Sequence, residues 1–192
     1  MLGRQRKWLF ISGKLIVDWR SLNKITVNGS EIERVETFKL LGVYFSSDLS
    51  WATHVDYIVS KALRRLFVVC QLVNARVPSK DIVEIYCAIV RSVLEYACPV
   101  WHGGLTKSQS ADIENVQKRY LRIIYPQSSY NEALRFSGLQ RLDDRRESIT
   151  RKLFIQVKNE GHDLNKLLQR KTHDDLKPQT KSFINYCLNK RM

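Results

Sequence analysis

Residues 38–73 read FKLLGVYFSSDLSWATHVDYIVSKALRRLFVVCQLV, and the hydrophobic period changes inside this stretch. Phe38-Lys39-Leu40-Leu41-Gly42-Val43-Tyr44-Phe45 is mostly apolar, which predicts a strand covered on both faces. Gly42 within it marks a bulge or a close approach of the backbone; because Val is itself a good strand former, Gly42→Val is expected to leave the fold nearly intact. From Trp51 onward Val55, Ile58, Val59, Ala62, Leu66, Val69 and Val73 lie within one arc of a 3.6-residue helix. Lys61, Arg64 and Arg65, at i, i+3 and i+4, occupy roughly the opposite face. An apolar strand giving way to a long amphipathic helix sets the expected class. It is mainly α, with a small N-terminal β-hairpin element followed by a helical bundle.

Upstream, Lys24 to Val27, Asn28-Gly29 and Ser30 to Glu33 form a two-residue hairpin signal, because Asn-Gly supplies the positive φ values of a type I′ turn. Residues 14–19 are a further strand candidate. Downstream, Arg76-Val77-Pro78-Ser79 breaks the chain and offers Ser79 as an N-cap. The second helix is expected to bury Ile82, Ile85, Tyr86, Ile89, Val93 and Leu94, and to end before Pro99. The third opens with a capping box, Thr106 to Gln109, buries Ile113, Val116, Tyr120, Leu121 and Ile124, and stops at Pro126. Its far side carries Lys118, Arg119 and Arg122. Ser129 to Glu132 is a second capping box, for a short helix closed near Gly138. A longer helix over about 142–158 aligns Leu142, Ile149, Leu153 and Val157, with Arg146 on that stripe as either a paired, half-buried ion or a snorkelling side chain. The expected organisation is a β element over 1–50, a three-helix bundle over 51–126, a helical linker-like region over 127–168 and a loose polar tail over 169–192.

With 44% hydrophobic residues and only 8 Gly and 4 Pro in 192 residues, the chain has material for a core, and low-complexity or collagen-like classes are excluded. Runs such as Phe67 to Cys70 are far short of the roughly 18 residues a bilayer requires. Arg4, Arg6 and Lys7 before Trp8 to Ile11 mimic a signal peptide, but the apolar stretch breaks at Ser12-Gly13-Lys14. Cys70, Cys87, Cys98 and Cys187 form no CxxC pair, which suits a reducing compartment, cytoplasm or nucleus. The net charge is +13, spread as +3 over residues 1–50, +4 over 51–126 and +6 over 127–192. A distributed basic surface suits a polyanion, usually nucleic acid; a high pI without such a partner is the plainer alternative.

Catalytic motifs are scarce. Asp143-Asp144 opens a helix, where acidic residues favour the dipole, and Asp174-Asp175 lies in the polar tail, so both pairs read as structural rather than as metal ligands. Cys98 and His102 have a possible zinc spacing without a second pair; His54, His162 and His173 read as surface or capping residues. No glycine-rich phosphate loop or nucleophile elbow is present. What remains are Lys61/Arg64/Arg65 and Lys118/Arg119/Arg122, suited to phosphates, or else simply solvated faces. Tyr44 and Trp51 either stack on bases or pack the core.

As strings, Phe38 to Val43, Ser46 to Trp51 and His54-Val55 resemble the end of the reverse transcriptase of non-LTR (LINE-type) retrotransposons. Lys61-Ala62 with Arg65-Leu66, Ile89 to His102, Leu105-Thr106, Ile113-Glu114, Val116 to Arg119, Leu121 to Pro126 and Arg145-Arg146-Glu147 continue the likeness over about 25–168. The resemblance implies that Leu41, Gly42 and Val43 belong to the hairpin called the primer grip, followed by thumb helices and part of a linker. It further implies a partner in an RNA–DNA hybrid or DNA duplex, and in the missing catalytic part of the polymerase. The family's chemistry needs palm aspartates upstream of the primer grip. Only some 37 residues precede Phe38, with one aspartate, Asp18. The expectation is therefore a primer–template-binding fragment with no catalytic residues and no cofactor of its own, Mg²⁺ being expected only in a complete parent enzyme. A helical protein-interaction module or an inert relic is the alternative.

Overall fold

The computed structural model describes residues 33–159 and 161–165, together with strand residues 8–9, 26–27 and 30–31. The strand candidate at 14–19, the turn residues Asn28 and Gly29, His173, Asp174, Asp175, Cys187 and the tail from Gln169 lie outside the described residues. The chain divides into two compact units, Met1–Tyr57 and Ile58–Met192. It is mainly helical, with small antiparallel hairpins on the N-terminal side.

In the first unit, β1 (Trp8–Leu9) pairs in parallel with β4 (Glu33–Arg34), and β2 (Thr26–Val27) pairs antiparallel with β3 (Ser30–Glu31). The expected single strand over 38–45 is instead a hairpin, β5 (Thr37–Leu40) and β6 (Val43–Ser46), with Leu40 opposite Val43. That register leaves a two-residue loop, Leu41-Gly42, whose φ values of 46° and 87° are both positive. Two positive φ values in succession match the right-handed twist of the strands, so Gly42 makes a turn, not a bulge. Nor is the segment covered on both faces: Leu40 is 52% and Leu41 82% exposed, while Val43 is buried. Phe38 stacks on Phe45, and Phe45 meets the edge of Trp51. Helix α1 (Ala52–Leu63) carries the boundary between the units.

His54, expected in a surface or capping role, is 1% exposed. It stands in the first turn of α1, where its Nδ1 accepts the Tyr44 N–H at 3.4 Å, and burial holds its pKa down at about 4.

The second unit is built of helices around α6 (Lys107–Ile124). The long helix expected from Trp51 to Val73 is two: α1 ends at Leu63 and α2 spans Leu66–Asn74. The run from α3 (Ser79–Tyr86) continues through a π-helical turn (Cys87–Arg91) into α4 (Ser92–Glu95). The extra residue of that turn rotates the later part of the run. Val90 and Leu94 are buried together with Ile82, Val83 and Tyr86, whereas Ile85, Ile89 and Val93 are only half-buried. Pro78, not Ser79, is the N-cap, and no side chain caps this helix. After Ala97, in the left-handed region at φ 51°, come α5 (Cys98–Trp101) and a short 3₁₀ turn (His102–Gly104). Both capping boxes form: Thr106 with Gln109 opens α6, and Ser129 with Glu132 opens α7 (Tyr130–Ser137), which Gly138 closes at φ 65°. Helix α8 spans Leu142–Lys158.

The buried row of α6 is Ile113, Glu114, Val116, Gln117, Tyr120, Leu121 and Ile124. Each of its large apolar side chains contributes about 2 kcal/mol by leaving water. Its two polar members anchor the neighbouring helices. Gln117 accepts from the Tyr86 hydroxyl at 3.0 Å and donates to the Tyr130 hydroxyl and the Gln140 carbonyl. Glu114 accepts from Tyr130 and from the Leu142 N–H at 3.0 Å, placing a carboxylate at the N-terminus of α8 where the helix dipole favours it. Arg146 is 0% exposed, so the paired-ion alternative holds without the half-exposure. Its guanidinium donates to Ser110 at 3.0 Å and His102 at 3.4 Å, lies 3.6 Å from Asp143 and faces the Trp101 ring.

Candidate nucleic-acid interface

The capping box fixes where α6 begins, and its buried row fixes which way the helix faces. At about 100° per residue, Lys118 and Arg122 fall opposite Tyr120, and Arg119 lies a quarter-turn away from it. All three are exposed. Glu114, four residues before Lys118 and therefore its expected helical partner, is turned inward to Tyr130 and Leu142. Among the described residues none of the three cations forms an ion pair. The Lys118 ammonium instead lies over the Tyr130 ring, 5.6 Å from its centre. Burial and the bond to Glu114 push the Tyr130 phenol well above its usual range, so that ring stays neutral. On α8 the arginines are paired, Arg145 with Glu95 at 2.6 Å and Arg151 with Glu147 at 2.7 Å. The outer face of α6 differs from α8 in this.

The 61–65 cluster has a different setting. Only Lys61 lies within α1; Arg64 and Arg65 form the turn between α1 and α2. The Arg65 N–H closes on the Ala62 carbonyl at 2.9 Å, one residue short of the helical partner, and Arg64 Nε donates back to the Ser60 carbonyl at 3.3 Å. The helical spacing i, i+3, i+4 therefore does not describe these three side chains. Arg65 stands close enough to Tyr120 for its charge to oppose the burial that pushes the phenol up to about 12. The clusters thus share the second unit, Arg65 beside the inward-facing Tyr120 and Lys118 with Arg122 on the outward side.

Leu41, Gly42 and Val43 form the turn and first strand residue of the β5–β6 hairpin, with Leu41 at its exposed tip. Tyr44 and Trp51 are engaged inside the first unit. Tyr44 packs at 4.9 Å between ring centres against Tyr57, with the Lys39 ammonium over both rings, and Trp51 lies against Phe45 and His54. The packing alternative is the one this geometry supports for both. Cys98 is buried, which drives its thiol up to about 11. His102 accepts from Arg146 on one ring nitrogen and faces Glu147 at 3.3 Å with the other. Its nitrogens are committed to those partners.

One feature beside α6 escaped the sequence reading. Phe136, in the last turn of α7, is 67% exposed and its ring lies 6.1 Å from that of Tyr125. The available signal was its position beside Arg135, off the arc that Ala133 buries. Among the described residues no helix is long and apolar enough to cross a membrane. Compared with protein-family models, curated proteins and solved structures, the chain matches none.

Proposed function

We propose that this chain binds nucleic acid through its basic helical faces, in the manner implied by its resemblance to the primer-grip and thumb end of a non-LTR retrotransposon reverse transcriptase, and that it performs no catalysis itself. One observation supports this best. Lys118, Arg119 and Arg122 are exposed along the outer face of α6 without an acidic partner among the described residues. A cationic face held open in this way suits phosphates, which are read by charge and not by sequence. Lys61, Arg64 and Arg65 supply further charge in the same unit, and the resemblance assigns to a primer end the Leu41-Gly42 hairpin turn together with Val43, which is buried beside it. Titration with an RNA–DNA hybrid and a DNA duplex over a salt series tests it. Changing Lys118, Arg119 and Arg122 together to Glu should weaken binding to every duplex and flatten the salt dependence by roughly one unit of slope per lost contact. An unchanged slope in a folded variant overturns the assignment.

A second reading, a helical protein-interaction module, is favoured by Phe154 and Ile155, both exposed on α8. It requires the wild-type chain to show no salt-dependent binding to either duplex.

A further inference from the structure

Two contacts set the register of α7 on α6. Lys118 reaches the ring of Tyr130 at one end of α7, and Tyr125, which closes α6, reaches Phe136 at the other. Lys118 and Tyr125 are seven residues apart and Tyr130 and Phe136 six, spans of about 10 and 9 Å along a helix. Arg122 falls between Lys118 and Tyr125 on α6, one helical turn before Tyr125.

Among the described residues Phe136 is the most exposed phenylalanine of this unit after Phe67, and it differs from Phe67 in having another aromatic ring beside it. Its ring lies beside another aromatic, Tyr125, tilted by 48°. Between residues 118 and 136 the cations are Lys118, Arg119, Arg122 and Arg135, and the single acid is Glu132. Glu132 is committed to the Ser129 cap, accepting from its N–H at 2.8 Å and its hydroxyl at 2.6 Å, bonds that hold its carboxyl below the usual range. An exposed aromatic face among cations is the arrangement that binds unpaired nucleotides, the ring stacking on a base while the charges hold the phosphates. A duplex offers no free base face and has no use for the ring.

We infer that Phe136, beside Tyr125 and in a stretch of chain whose cations include Arg122 and Arg135, is a stacking site for an unpaired base of a single-stranded nucleic acid. This rests on the proposed nucleic-acid reading and adds to it a second substrate class, single strand beside duplex, with its own residue.

The test uses the full chain, a fluorescein-labelled oligothymidylate, a blunt DNA duplex, and a single strand carrying 2-aminopurine, whose emission is quenched by stacking. Phe136→Ala should weaken oligothymidylate binding about tenfold, leave the blunt duplex unaffected and abolish the 2-aminopurine quenching. Because the ring is exposed, thermal unfolding should be unchanged. Phe136→Leu, which keeps apolar bulk, should behave like Phe136→Ala, and Phe136→Trp should bind at least as well as wild type. Full affinity in Phe136→Leu, equal weakening on both substrates, or unchanged single-strand binding in Phe136→Ala each overturns the inference while leaving duplex binding standing. A Phe136-dependent association with phosphatidylserine vesicles in place of the oligonucleotide overturns it in favour of a membrane surface. Failure of the wild-type chain to bind any of the nucleic acids removes both readings.

Discussion

The hydroxyl of Tyr120, about one turn before the end of α6, lies 2.7 Å from the carbonyl oxygen of Ala62, near the end of α1. That carbonyl also accepts the Arg65 N–H. A side chain inserted into the hydrogen-bond ladder is a known cause of a helix break, and here the break separates α1 from α2 and places Arg64 and Arg65 in the turn. Tyr120→Phe should cost about 1 kcal/mol, since the Ala62 carbonyl keeps its backbone donor. Urea denaturation checks it; unchanged stability would mean that the turn forms without the tyrosine.

Glu114 serves two elements at once, the hydroxyl of Tyr130 and the N-terminus of α8 through the Leu142 N–H. Glu114→Ala leaves a buried N–H without its acceptor and should cost about 2–3 kcal/mol. Glu114→Gln keeps one acceptor oxygen but loses the charge that favours the helix terminus, so its cost should fall between wild type and Ala. The comparison is of denaturation midpoints for the three chains.

Arg146 is a fully buried cation whose Nη1 has no hydrogen-bond partner among the described residues. Arg146→Ala removes the packing against Trp101 and the donors to Ser110 and His102, leaving a cavity, a loss of about 2–5 kcal/mol. Arg146→Met restores apolar volume without a buried charge and should be the more stable of the two. If Met proves as damaging as Ala, the polar contacts outweigh the packing.

Gly42 sits at φ 87°, a conformation that a β-branched residue adopts only with strain. The expectation that Gly42→Val leaves the fold nearly intact does not hold at this φ. Val should destabilise the hairpin by about 1–2 kcal/mol, whereas Gly42→Asn, which tolerates the left-handed region, should cost less. Amide exchange of the β5–β6 hairpin measures both.

His54 carries a pKa of about 4 in the folded chain against a usual 6.5, because burial disfavours its charged form. The unfolded chain binds the proton first, so this group's contribution to stability is full above pH 6.5. It is lost as pH falls from 6.5 toward 4, at up to about 1.4 kcal/mol per unit. His54→Asn, which keeps an acceptor for the Tyr44 N–H, should flatten thermal stability over that range. A variant with the wild-type acid slope would assign the slope to other groups.

Much of the helical scaffold is visible in local sequence. The two capping boxes, Thr106 with Gln109 and Ser129 with Glu132, and the closing Gly138 act over a few residues, so their patterns can be read without knowing what surrounds them. The outward position of Lys118, Arg119 and Arg122 follows from the period of α6 in the same way. Where the residues misled, a contact over long sequence separation had intervened or a backbone sign was invisible. The apolar letters of Phe38 to Phe45 are the same in a strand and in a hairpin; the difference is two positive φ values at Leu41 and Gly42. The period through Lys61, Arg64 and Arg65 is helical, yet Tyr120 takes the carbonyl at Ala62 from 58 residues away.

The sequence by itself determined the class of this chain, a small β element ahead of amphipathic helices, and the excess of positive charge, because period, caps and composition are local or additive properties. Tertiary structure alone decided which polar groups are buried and which cations are left open. Glu114 and Gln117 read as ordinary polar residues, and only packing of α7 and α8 against α6 turns them inward to Tyr130, Gln140 and Leu142. With Glu114 drawn into the core, Lys118 loses its helical partner and the outer face of α6 stays positive. A buried carboxylate holds its place only with donors on several elements at once, and that is a property of the assembled fold and of no single segment.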